Sequence, residues 1–213
     1  MGRIIKGILG GFVGKVGTVI GSQRNGVDMI SSLPKKSTKA PTELQLNQRD
    51  RFSLGIGFLK PINTVLKLGF KSADPRLSSI NVAMSQLLQN AIIGATGNYS
   101  LDYTKILISK GELSPGFNSL ALSENAAELK VTWSTVTSSG LANPDDESLV
   151  VIYNPAKDQH FMSISGVIRS IGEIAISLPS DYSGDEVHCW LGFVAKDKKT
   201  RSTSTYAGMV AIV

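Results

Sequence analysis

Imidazoles, thiols and paired carboxylates carry out most enzymatic proton and acyl transfer, and this chain holds few of them. His160 and His188 are its only histidines and Cys189 its only cysteine among 213 residues. Strand alternation puts Cys189 on the face opposite its neighbour His188, so no set with zinc spacing forms. A lone histidine on a strand reads most simply as a surface or interface residue, and Cys189 as a small apolar core residue. Asp145-Asp146-Glu147 is the one acidic cluster. Calcium loops alternate their ligands more widely, so this cluster, led by Pro144, reads as a solvated turn. Gly10–Lys15 has the outline of a phosphate-binding loop. That motif requires glycine at position 9, where Leu9 stands, and Ser or Thr at 16, where Val16 stands. Gly55-Ile56-Gly57 lies in a helical pattern without a preceding strand, which makes it a packing feature. No Gly-x-Ser-x-Gly elbow occurs. Asn98-Tyr99-Ser100 has the form of a glycosylation sequon. The residues thus point to no enzyme, no cofactor and no metal site.

The elements that would position any site fall into three sections. Residues 1–41 are rich in glycine, with Ile, Leu, Phe and Val between. Each glycine costs a helix close to 1 kcal/mol, so strands are expected: Val16–Gln23, a turn at Arg24-Asn25-Gly26, and Val27–Leu33. Pro34 ends this glycine-rich β-arm, and Lys35–Pro41 is a basic linker. Residues 42–113 read as two helices and one strand. Thr42 with Gln45 forms a capping box, and Glu43 suits the helix dipole. That helix should end near Leu59, before Pro61, with Phe52, Ile56 and Leu59 on one face. The second should open near Pro75 and present Leu77, Ile80, Met84, Leu87 and Ala91 to a core. Gly94–Gly97 ends it, and Tyr103–Ser109 alternates as a strand.

Residues 114–213 change character. Strand-like runs recur at 119–123, 128–135, 148–153, 161–169, 173–178, 187–194 and 203–213, divided by turn signals such as Asn143-Pro144-Asp145 and Ser183-Gly184-Asp185. Seven strands in about a hundred residues predict a sandwich. The expected fold is mainly β with a small helical section (α+β), ending in a seven-stranded immunoglobulin- or fibronectin-like sandwich. Trp133, Tyr153 and Leu178-Pro179 resemble core markers of fibronectin type III domains, while the usual sixth-strand tyrosine is replaced by His188 and Trp190. Over its full length the chain also resembles an uncharacterised family common in Bacteroidota, through "GFVGKVGTVIGS", "SLPKKSTKAPTELQLNQRDRF", "GFLKPINTVLKLGFKS" and "LPSDYSGDEVHCWLGFVAKDKKTRSTSTYAG". That resemblance implies no function. The N-terminal stretch is similar to structural proteins of phage-like or surface-assembled particles.

Charge is uneven along the chain. Residues 1–60 hold ten Lys/Arg against three Asp/Glu, and residues 117–213 hold seven against eleven. A basic half could meet the acidic half of another copy. An extended apolar arm cannot bury its own side chains, and adding a strand to a neighbour would bury them. The expected function is therefore a non-enzymatic structural subunit (a fibre, surface or virion-like component) that self-assembles head-to-tail by β-strand addition. Its contacts would be Ile8, Leu9, Phe12, Val13, Val16, Val19 and Ile20 of the arm, and Tyr206, Met209, Val210, Ile212 and Val213 of an apolar final strand. Other copies of the chain would be its partners. The alternative is a binding module for glycan, protein or an anionic polymer or surface, using the basic patch Lys35, Lys36 and Lys39. Nucleic acid is disfavoured because no aromatic residues interleave those lysines. No run of 18 apolar residues predicts a membrane span, and no cleavable signal is recognisable. An extracellular or cell-surface location is favoured over a cytoplasmic one.

Overall fold

The structure is a computed structural model that describes residues 2–4, 7, 10–24, 26–35, 38–71, 77–136, 141–164 and 166–213. Four short strands come first: β1 (Arg3–Ile4), β2 (Phe12–Val16), β3 (Val19–Arg24) and β4 (Val27–Ser32), joined in that order as an antiparallel meander. The expected strand 16–23 is broken in two. Val16 pairs with Val19 across the two-residue turn Gly17-Thr18, and Gly17 supplies the positive φ that such a turn demands. The Gly26 turn falls where expected, with Arg24 paired to Val27.

Three α-helices lie among the described residues. α1 (Glu43–Leu59) opens on the anticipated capping box: the Gln45 amide donates to Thr42 Oγ1, and the Thr42 amide donates to Gln45 Oε1 at 3.2 Å. Pro61 ends it but only re-aims the chain, and α2 (Asn63–Gly69) follows at once. This helix is short, and Ile62, Val65, Leu66 and Phe70 around it are all buried. Its seven residues give too little periodicity to stand out against the flanking apolar residues. α3 (Ser79–Asn90) begins beyond Leu77, which is exposed; Pro75 lies outside the described residues. Met84, Leu87 and Ala91 of the expected stripe are buried, whereas Phe52 of α1 is exposed. Gly55 lets the two helices touch, since a Cβ there would lie 2.9 Å from Met84 Sδ.

The segment after α3 departs from expectation. Ile92–Ala95 (β5) and Asn98–Leu101 (β6) form a hairpin across Thr96-Gly97. Residues 103–109 are not a ladder strand. Asp102 caps a single 3-10 turn, and Ile106 and Ile108 are then buried by an extended stretch whose amides at 108 and 109 donate to Ser204 Oγ.

The C-terminal part is a three-on-four sandwich. β7 (Leu120–Leu122), β8 (Glu128–Thr132) and β11 (Glu173–Ser177) make one sheet, in the order β11-β8-β7. β9 (Glu147–Asn154), β10 (Gln159–Ser163), β12 (Glu186–Val194) and β13 (Thr205–Ala211) make the other, in the order β10-β9-β12-β13. All seven overlap the expected runs. Between the sheets lie Leu129, Val131, Trp133, Val150, Ile152, Ile176, Cys189, Leu191 and Phe193. Trp133 packs edge-on against Phe193 at 5.5 Å. The other face of the four-stranded sheet, through Leu149, Val151, Tyr153, Trp190 and Val194, is covered by the three helices. The sandwich and the helices therefore form one body of three layers. Tyr153, read as a sandwich-core marker, belongs to this second layer boundary instead. Tyr182, in the turn between β11 and β12, is buried with the sandwich core.

Candidate assembly surface

The β1–β4 sheet belongs to neither of the two buried clusters. Residues opposite one another in antiparallel strands share a side, and the side alternates along each strand. Ile4 faces Phe12, and Gly21 faces Ile30. A Cβ on Gly2 would touch both Val16 and Phe12, and one on Gly21 would strike the Phe12 ring. One side therefore collects Ile4, Phe12, Val16 and Ile30 over two glycines. The other carries Val13, Ile20 and Met29 among Arg3, Lys15 and Arg24. Neither side is covered: Ile30 is 70% exposed, and Ile4, Val13, Val16 and Met29 are also exposed. β4 ends the sheet, with all six of its residues exposed. Within the sandwich, β10 and β11 likewise end their sheets.

The expected assembly residues are spread unevenly. Ile8 and Leu9 lie outside the described residues. Phe12, Val19 and Ile20 are half-buried by the curl of the sheet, while Val13 and Val16 are exposed. Lys35 and Lys39 sit on an exposed linker, and Lys36 lies outside the described residues. The final strand is held in cis. Tyr206, Met209 and Val210 pair with Trp190, His188 and Val187 of β12. Ile212 is buried, and the Val213 carbonyl accepts from the Ala127 amide. Only Met209 and Val213 of that set are exposed, and β13 pairs with β12 along one edge while ending its sheet on the other.

Both histidines are half-buried against aromatic rings. His160 packs against Phe58 at 4.9 Å and Tyr153 at 4.6 Å, and neither ring nitrogen finds a partner. Burial pushes it down to about 4. His188 stacks on Tyr103 at 4.1 Å, with Nδ1 2.7 Å from the Tyr206 hydroxyl, and burial lowers it too. The Cys189 thiol is fully buried in the sandwich core and pushed well up, which leaves it unreactive. Among the described residues no group of three His, Cys, Asp or Glu could hold a metal ion.

Asp146 corrects the reading of a solvated acidic turn. It is 1% exposed and accepts from Arg169 Nε at 3.1 Å and from the Asn143 amide. Arg169, itself 2% exposed, donates onward to the carbonyls of Ser114 and Pro115 and lies 3.8 Å over the Phe193 ring. Trp133 Nε1 closes the network on the Arg169 carbonyl. The residue signal was an arginine directly after Val167-Ile168, too weak to name its partner.

The sequence matches the model of a family of unknown function, DUF6266, over residues 11–208. The chain belongs to that family. No curated protein matches it. This DUF6266 protein is similar to the fn3 domain of human collagen alpha-1(XX) chain, with 17% identity and a TM-score of 0.34, over 47% of this chain and 88% of that one. It is also similar to the FN1-FN3 domains of chicken CNTN1, with 12% identity and a TM-score of 0.37, over 56% of this chain and 41% of that one. The DUF6266 chain builds this fold from its own strand order and two buried layers. Among its described residues no helix is long and apolar enough to cross a membrane.

Proposed function

We propose that this protein is a non-catalytic structural subunit that joins copies of itself head-to-tail, its N-terminal sheet being completed by the sandwich of the next copy. The observation that carries this is the bare β1–β4 sheet: apolar side chains exposed on both sides, and an open β4 edge. Such a sheet is marginal alone, and an exposed apolar edge invites another strand. A second copy fits as the occupant because the charges are complementary. The sheet presents Arg3, Lys15 and Arg24 against Asp28 alone. The sandwich end made by residues 123–128, 155–158 and 178–186 carries Glu124, Glu128, Asp158, Asp181, Asp185 and Glu186 against Lys157 alone. A heterologous contact of this kind repeats without closing and gives open filaments.

The test is sedimentation and negative-stain microscopy of the full chain beside two variants: deletion of residues 1–34, and Met29→Lys with Ile30→Lys on the exposed β4. The full chain should form large species that grow with concentration and shrink with salt. Both variants should stay monomeric. A full chain that remains monomeric at high concentration, or variants that assemble as it does, would sink the proposal.

A further inference from the structure

Two arginines are buried among the described residues, and only one of them has an anion there. Arg169 faces Asp146. Arg201 is 6% exposed and donates only through Nη2, to the carbonyls of Lys198 and Lys199. Among the described residues no carboxylate lies within ion-pair distance of it, and its Nε and Nη1 carry no hydrogen bond to any of them. A buried charge without a counter-charge is costly, so what stands beside Arg201 bears on what it is for.

Arg201 lines a cleft of about 230 Å³ together with Lys71, Lys110, Lys199, Thr200 and Glu112. Three separate stretches of chain bring these residues together: the exit of α2, the segment 109–113, and the β12–β13 connection. The junction is tightly built. The Leu113 amide donates to the Arg201 carbonyl at 2.9 Å, and Thr203 Oγ1 donates to the Gly111 carbonyl at 3.2 Å. A Cβ at Gly111 would lie 2.3 Å from the Arg201 carbonyl oxygen, so only glycine permits this approach. Lys71, Lys110 and Lys199 are exposed and form no ion pair among the described residues, not even with Glu112. The neighbouring cavity contains Asp145 and Asp197, and Lys196 lies 4.0 Å from Asp145. The cleft itself is thus lined by four cations and one carboxylate, Glu112, and among the described residues none of the four cations is in an ion pair.

We propose that this cleft is a binding site for a phosphate or sulfate ester group. A guanidinium with free donors matches a tetrahedral oxyanion through paired hydrogen bonds, flexible ammonium groups add charge, and the Thr200 hydroxyl can supply a further donor. The site lies at the end of the sandwich opposite the acidic loops, so it does not depend on the assembly reading.

Calorimetric titration at low salt tests it, with sodium pyrophosphate as the phosphate probe, a sulfated oligosaccharide as the sulfate probe, and polyglutamate as a carboxylate control. At least one ester-like probe should bind saturably at one site per chain, and which one does so separates the two sources. Lys110→Glu and Lys199→Glu, at exposed positions with no ion pair among the described residues, should each weaken binding roughly tenfold, about 1.4 kcal/mol. Lys60→Glu, the same charge change on the helical layer, should not. Arg201→Lys keeps the charge and loses the fork, so it should also weaken binding. Absence of saturable binding by either probe, equal affinity in Lys110→Glu and Lys60→Glu, or polyglutamate binding as tightly would each overturn the proposal.

Discussion

Two antiparallel four-stranded sheets in this molecule have opposite fates. The β10-β9-β12-β13 sheet is covered on both faces, by helices on one side and by the smaller sheet on the other. The β1–β4 sheet is covered on neither. The composition of the strands differs accordingly. Leu149-Val150-Val151-Ile152-Tyr153 is an unbroken apolar run, as a strand buried on both faces requires. β2 and β3 dilute their apolar residues with Gly14, Gly21, Lys15 and Arg24. One sheet is therefore the centre of stability. The other is a surface whose apolar groups are still available.

The largest effect should come from the doubly covered sheet. Trp190 is fully buried, and its indole donates to the Tyr103 carbonyl at 3.1 Å. Trp190→Ala should cost about 3–5 kcal/mol in urea unfolding. Asp146→Ala should cost a similar amount, about 3–5 kcal/mol, because it strands the Arg169 charge in the interior. Adding Arg169→Met to that variant should recover much of the loss. If the single change is mild, the ion pair is not buried as described.

Acid should separate the two sheets next. His160 is held at about 4, below the ordinary 6.5, and His188 is lowered as well. The unfolded chain therefore binds more protons between these values, and stability rises with pH. It should be complete above about 6.5 and fall progressively towards pH 4. Asp102 and Asp185, held low by Thr104 and Lys157 respectively, lose their contributions only at more acid pH. Melting temperature measured from pH 7 to 4.5 should show the fall, and His160→Phe, which keeps a ring against Phe58 and Tyr153, should remove most of it. A flat profile in the wild-type protein would contradict the burial of His160.

Smaller effects follow. Thr42→Ala removes the capping box of α1 and should cost about 1 kcal/mol. Ile30→Ala on the bare sheet should change monomer stability by less than about 0.5 kcal/mol, while weakening any self-association. A large loss of monomer stability there would mean that this sheet is covered within its own chain.

Local chemistry was the part legible in advance. The capping box at Thr42, the two-residue turn at Gly26, the stripe of α3 and the alternation of all seven sandwich strands are written in spacings of a few residues, which a short-range pattern records. Misreadings arose where short segments met. Val16–Gln23 alternates well enough for one strand, and only Gly17 marks the break. Tyr103–Ser109 alternates because Ile106 and Ile108 are buried, but its amides turn to Ser204 rather than to a strand. α2 is too brief to show a period.

What the amino-acid sequence determined by itself was class and polarity: a β-rich chain with a glycine-rich arm, a helical section and a sandwich. Only the tertiary structure decided who faces whom. It put the helices on the sandwich, buried Asp146 against Arg169, drew both histidines into the aromatic layer, tied the last strand into its own sheet, and gathered Lys71, Lys110, Lys199 and Arg201 around one cleft. The physical reason is that local propensity acts over a few residues, whereas burial and charge pairing join residues as far apart as Lys110 and Arg201. Such partnerships follow from packing and leave no spacing to read.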